Sequence, residues 1–325
     1  MNRREITTLF GATVAAWPLS ARSQSNAAAP KLGFVYPGPK EGAASRADAV
    51  VTALRASGYP VAQLELVMRA TEGDPLRIAP LLTEVIEKRV NAMIAVGPAV
   101  LRHARAVTRD IAIIATDLES DPVTSGIVAS LARPGGNVTG VFLDFPDFAT
   151  KWIELLVESV PHLVRIAVVW DPATGVVQLD SIRKTAEALK LQIEVLEVRV
   201  RNDLDGAFLL ASQRAAGAAI LLSSPLIGGN TKTLADLALR HRLPAVTLFP
   251  DFARTGGLFA YGPSIPSVFR QAGVLAAKVL RGRDPADLPI ERPTKFEFIV
   301  NSRTAEAMGV SIPPSILLRA DEVVE

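Results

Sequence analysis

The run Asp121-Pro122-Val123-Thr124-Ser125-Gly126-Ile127-Val128-Ala129-Ser130-Leu131-Ala132-Arg133-Pro134-Gly135-Gly136-Asn137-Val138-Thr139-Gly140-Val141 lies between two apolar segments, residues 111–115 and 138–143. Pro122, Gly126, Pro134, Gly135 and Gly136 recur too often for a helix or strand to pass through it. Two buried strands joined by such a segment predict a connection whose path is specified, because long loops in compact domains are usually functional. A surface connection that merely needs unusual backbone angles fits the same residues.

Outward from this run, strands alternate with helices. Upstream, apolar strands are read at 32–36, 61–67, 92–96 and 111–115, with helices at 47–56, 75–87 and 99–107. Downstream, strands at 166–170, 193–198, 219–222 and 245–249 alternate with helices at 148–160, 176–189, 204–215 and 231–240. This rhythm predicts α/β architecture with parallel sheets covered on both faces. The two series match: the first strand of each ends on an aromatic with a proline close behind (Tyr36-Pro37, Trp170-Asp171-Pro172), and the third on a small residue and proline (Gly97-Pro98, Ser224-Pro225). Two copies of one Rossmann-like lobe follow from that. A further strand at 257–261, an amphipathic helix at 264–281 and a strand at 295–300 complete the chain.

Composition narrows the function. The 325 residues are 49% hydrophobic and 21% charged, ordinary globular values with room for two lobes. No cysteine is present, which removes disulfides, thiolate metal sites and cysteine nucleophiles. His103, His162 and His241 have no ligand spacing, so no metal and no cofactor is expected. Arg3-Arg4, the apolar run 9–19 and Ala21-Arg22-Ser23 predict an export signal over 1–23. It resembles a twin-arginine signal, with Ile6-Thr7 where an aromatic-leucine pair is usual. Its removal takes away three arginines and one glutamate, which balances the 35 basic against the 33 acidic residues and leaves no footprint for nucleic acid.

The opening run resembles the signature of a family of bacterial ABC-transporter substrate-binding proteins whose characterised members bind aromatic amino acids. A run close to D-P-V-x-S-G-[LIV]-V-A-S-L-A-R-P-G-G-N-V-T-G recurs in that family, and the similarity extends to the closing Ile312-Pro313-Pro314-Ser315-Ile316-Leu317-Leu318-Arg319-Ala320-Asp321-Glu322-Val323. The resemblance implies a type I periplasmic binding fold, with lobes joined by three crossovers near 143–147, 250–256 and 288–293. The chain then divides into the signal at 1–23, an N-terminal lobe of 24–143 plus 256–290, and a C-terminal lobe of 147–250 plus 291–325. It implies a periplasmic, monomeric receptor that captures a small molecule by hinge closure, performs no reaction, and serves the permease and ATPase subunits of an importer.

Open parallel sheets bind ligands beyond the carboxyl ends of their strands. That rule selects Tyr36, Pro37, Gly38, Gly97, Pro98, Ala99, Thr116, Asp117, Trp170, Asp171, Ser223, Ser224, Phe249 and Tyr261 as ligand-binding residues. Tyr36, Trp170 and Phe249 could stack on an apolar ligand, although strand-end aromatics are more often core. Pro98 stands where the family has threonine and Asp171 where it has asparagine, and the 36–40 loop is also unusual. Asp117 and Asp171 could alternatively serve an exported α/β enzyme as acid–base carboxylates, whereas Glu119 and Asp121 read as turn-capping, solvated carboxylates. A repressor-type sensor domain shares the architecture, but the basic helix-turn-helix it needs is replaced here by the export signal.

Overall fold

The computed structural model describes residues 29–325, so the expected export signal lies outside the described residues. Two sheets organise the chain. The first contains β1 (Lys31–Tyr36), β2 (Glu65–Ala70), β3 (Ala92–Val96), β4 (Ala112–Asp117) and β5 (Val138–Phe142), all parallel, in the order β2-β1-β3-β4-β5. The second contains β6 (Arg165–Trp170), β7 (Gln192–Glu197), β8 (Ala218–Leu221), β9 (Ala245–Thr247), β10 (Phe259–Pro263), β11 (Phe296–Asn301) and β12 (Glu322–Val324), in the order β12-β11-β10-β9-β8-β6-β7. The internal match read from sequence is realised: β2-β1-β3-β4 corresponds to β7-β6-β8-β9. Each half reverses its strand order between its first and third strands, at β1/β3 and β6/β8, where such sheets take ligands.

The central strands are apolar without alternation because helices cover both faces. Every residue of β3, β4 and β5 is buried. Cores on the two faces of the first sheet gather around Phe34, Ile94 and Phe269 on one side and Met93, Leu82 and Phe142 on the other. In the second lobe Trp152 is fully buried, with Phe145 edge-on at 5.5 Å and its indole N–H donating to the Tyr261 carbonyl at 2.7 Å.

Strand pairing corrects the expected division at one place. Phe259–Pro263 was assigned to the N-terminal lobe as part of 256–290, yet β10 pairs parallel with β9 and antiparallel with β11 and belongs to the second sheet. The segment near 250–256 is therefore no crossover. Pro250–Arg254 is a helix, with Pro250 in its first turn and Phe252 buried in the second lobe. The chain returns to the first lobe after Pro263, where the helix Ile265–Leu280 packs along the helix Lys40–Ala56. Glu291 still bridges Val141 of β5, so the final crossing falls between there and β11. The first occurs between β5 and the helix Phe145–Ser159.

The opening run is the fixed-path connection that its composition suggests. Asp121 Oδ1 accepts the backbone N–H groups of Val123 and Thr124 at 2.9 and 2.7 Å, an Asx turn. Ile127 and Val128 are buried in the first lobe's core, and Asn137 Nδ2 donates to the Ile111 carbonyl at 2.8 Å. Leu131 and Gly135 bond to the segment leading into the last crossing, through Ile290 N–H and the Ala286 carbonyl. The run thus ties the sheet to the segment that leads into the last crossing.

Candidate functional site

The carboxyl ends of β1, β3 and β4 face those of β6, β8 and β9 across a cleft with two adjoining compartments. The inner one has a volume of about 60 Å³. Its first-lobe wall includes Tyr36, Gly97, Thr116 and Glu119; Ser224 and Phe249 come from the second lobe, and Phe269 from the returning helix. The outer compartment is larger, about 580 Å³, and carries Gly38, Pro98, Ala99, Asp171 and the exposed Arg199 and Arg201. Pro37 and Gly97 border both.

Ten of the sequence-selected residues thus line the cleft, and four do not. Asp117 is buried beneath it, its carboxylate accepting the N–H groups of Glu119 and Ser120, at 2.9 and 3.0 Å, and the Ser120 hydroxyl. Trp170 turns into the second lobe, where its indole N–H donates to the Gly175 carbonyl at 2.9 Å. Tyr261 stacks on Phe148 at 5.3 Å in an aromatic cluster, because β10 runs in the second sheet rather than the first. Ser223 lines neither compartment, yet it joins the lobes. Its hydroxyl donates to Glu119 Oε1 at 2.6 Å. Gln178, wholly buried, fixes it by accepting the Ser223 N–H and donating to its carbonyl, both at 2.8 Å.

Glu119, expected to be solvated, is the principal correction. It is 8% exposed and lines the inner compartment, with Oε2 accepting the Leu118 N–H at 3.2 Å. Burial pushes its carboxyl up to about 8, and the charge of Asp117 adds to the effect. Asp117 is also raised by burial, against its Ser120 and backbone hydrogen bonds.

Arg46 was also missed. Its guanidinium carbon lies 4.7 Å from the Tyr36 ring centroid and 5.7 Å from that of Phe269, in cation–π contact. One Nη donates to the Gly42 carbonyl at 2.9 Å, and Arg46 forms no ion pair among the described residues. Neither residue carries a local signal: Arg46 sits on a helix face, and Glu119 resembles a turn carboxylate until Ser223 meets it. Burial raises the Tyr36 hydroxyl's pKa, Arg46 opposing it and Glu119 adding to it.

Asp171 points toward the outer compartment but is already engaged. Its Oδ1 accepts the Ala173 N–H at 2.9 Å, capping the turn Pro172–Thr174, and the Ser224 hydroxyl also bonds to it. Burial raises its carboxyl despite those bonds. Asp171→Ala is expected to cost about 1 kcal/mol, as loss of a cap usually does. Asp171→Asn keeps the acceptor and should recover most of that. Urea unfolding of the two variants checks this; equal losses would remove the capping role.

Asp117 lies under its own turn and Asp171 caps one, so both carboxylates carry structural hydrogen bonds. Among the described residues no group of acidic or histidine side chains could hold a metal, and no helix is long and apolar enough to cross a membrane.

Comparison with known proteins agrees with this geometry. The family described as ABC transporter substrate binding protein matches residues 40–324. A tyrosine-binding protein of Clostridioides difficile (strain R20291) is 25% identical over 268 residues, which is 80% of this chain and 75% of that protein. An ABC domain from Streptococcus pneumonia, solved in complex with L-Trp, superposes with a TM-score of 0.83 at 21% identity, over 91% of this chain and 99% of that one. The ligand-free, open structure of a Clostridium difficile substrate binding protein covers the same shares at a TM-score of 0.66 and 19% identity. Two α/β lobes, a cleft at their switch points and a family match over most of the chain lead to one assignment: this protein belongs to the ABC transporter substrate binding protein family and is a solute-binding protein.

Proposed function

We propose that this protein is an exported, periplasmic receptor that closes its lobes over an amino acid or a close relative and presents it to the permease and ATPase subunits of an importer. It acts as a monomer and performs no reaction. The observation that carries the reading is the Glu119–Ser223 bond, which draws the two sheets' carboxyl ends together over a cavity bearing aromatic rings, a carboxyl group and a guanidinium. Tyr36, Phe249 and Phe269 offer ring faces to an apolar side chain, and Thr116, Gly97 and Ser224 offer polar groups beside them. The tyrosine-binding and L-Trp-bound relatives favour the same class of solute.

An inner cavity of about 60 Å³ is too small by itself for an aromatic amino acid, and parting of the lobes widens it to the size of such a solute. The absence of cysteine makes the motion directly measurable, since one cysteine introduced on each lip of the cleft gives a unique spin-label pair. L-tyrosine or L-tryptophan is expected to narrow the label distance distribution of protein first unfolded and refolded to strip it. An unchanged distribution at saturation, or no binding of either probe by calorimetry, counts against the proposal.

A further inference from the structure

We propose that the inner compartment is a proton-exchanging cation subsite, in which Glu119 carries a proton while the cleft is empty and gives it up to solvent when a solute's cationic nitrogen takes its place. The inference rests on the reading above, and adds which residue receives the charge and what leaves when it does.

Three independent observations meet there. Glu119 is buried on a partly aromatic wall, with no cation paired to it among the described residues, so its charged form lacks the counterion a buried carboxylate needs. Thr116 Oγ1 lines the same compartment and is buried without a hydrogen-bond partner. A buried hydroxyl beside a polar-edged cavity has capacity for one more hydrogen-bond partner, which solvent or a solute can supply. The Tyr36 and Phe269 rings stand alongside, and ring faces attract cations. A protonated amine supplies donors for Glu119 and Thr116 together, which a carboxylate or a neutral apolar group cannot.

Charged groups near Glu119 set the direction of exchange. Asp117 below it, at the end of β4, is itself raised by burial against the hydrogen bonds of its turn, and any charge it carries disfavours a negative charge on Glu119. Arg46, from the helix Lys40–Ala56, bears on Tyr36, whose hydroxyl feels both Arg46 and Glu119. On the second-lobe side Ser223 and Ser224 are neutral, and the next carboxylate, Asp171, is occupied in its own turn. An empty cleft therefore stores one proton between two carboxyl groups. On capture the O–H bond of Glu119 breaks, the proton passes to water, and the ammonium takes its place against the carboxylate. Arg46, stacked on rings but unpaired, is left to meet an anionic end of the same solute.

Two measurements test this. In ligand-free protein labelled with ¹³C at glutamate carboxyls, the resonance lost in Glu119→Gln should be protonated at pH 7 and titrate near pH 8. In calorimetry at pH 7, across buffers of different ionisation enthalpy, L-tyrosine and L-tryptophan should bind with release of about one proton. Their desamino counterparts, 3-(4-hydroxyphenyl)propionate and indole-3-propionate, should bind at least tenfold more weakly. Glu119→Gln should abolish proton release and weaken the two amino acids tenfold or more, so that amino and desamino probes bind it with similar affinity. A Glu119 carboxyl already ionised at pH 7, equal binding of amino and desamino probes, or heats independent of buffer would overturn the subsite. Wild-type protein that binds none of the four probes would instead remove the solute class proposed above, and with it the occupant of the subsite.

Discussion

Gly140→Ala is expected to destabilise the first lobe by about 3 kcal/mol or more, the combined cost of a strained backbone and an overfilled core. Gly140 lies in β5, in register with Ala115 of β4, and closes the glycine-rich run that joins the two strands. Its φ of +154° is one that side-chain-bearing residues rarely adopt, and a Cβ there would stand 2.2 Å from the Ala115 carbonyl oxygen. The atom it would meet belongs to a neighbouring strand's backbone, so no rotamer change relieves it. Moving β4 displaces Thr116 directly and Glu119 just beyond, so solute binding should fall with stability. Gly136 in the same run, with φ +131° and nothing within 4 Å of the added atom, separates the two causes. Gly136→Ala should carry strain alone, about 1–2 kcal/mol. Urea unfolding of both variants measures the difference, and a Gly140→Ala loss no larger than that of Gly136→Ala would leave the close approach without consequence.

That pair also shows what the sequence can and cannot carry. The architecture was readable because strands buried on both faces must be continuously apolar, as 92–96 and 166–170 are, and because proline and glycine punctuate each strand end. The lobe containing residues 256–263 was not readable. Pro250, Gly256 and Gly257 look like a hinge by composition, but Pro250 begins a helix of five residues, too short for any periodicity to show. Only strand pairing reveals that β10 stays beside β9. Ring placement failed for a related reason: an aromatic at a strand's end faces cleft or core according to small differences in the following turn. Tyr36 and Phe249 reached the cleft, whereas Trp170 and Tyr261 packed into the second lobe. Phe269 was legible as part of an apolar helical stripe, but nothing in a 3.6-residue period tells which turn of that stripe leaves the core for a cavity. Glu119 is the extreme case. Its chemistry depends on Ser223, 104 positions away, held in turn by Gln178.

Ligand-free protein is expected to be most stable near pH 5 and to lose stability, on the order of 3 kcal/mol, as pH rises to about 8. Glu119 is raised from 4.5 to about 8, so the folded chain binds this proton more tightly than the unfolded chain does. The unfolded state releases it first as pH increases, and stability declines from near the unfolded value until the folded group has also ionised. Asp117 and Asp171, raised by burial, act in the same sense. Below about pH 4.5 the sign reverses. Asp121 is lowered, the N–H bonds of Val123 and Thr124 outweighing its partial burial, and Glu158 is lowered first by the Ser315 hydroxyl and then by Arg319. Each contributes stability above its unfolded value that is lost as pH falls through its folded one. Glu119→Gln isolates the main group, because an amide still accepts from Ser223 but cannot ionise. Between pH 5 and 8 the variant should show a much flatter profile and exceed the wild type at the upper end. Urea unfolding across that range reads both profiles. Parallel slopes in the two proteins would mean that Glu119 ionises freely in the cleft, most simply because the lobes stand apart before any solute arrives.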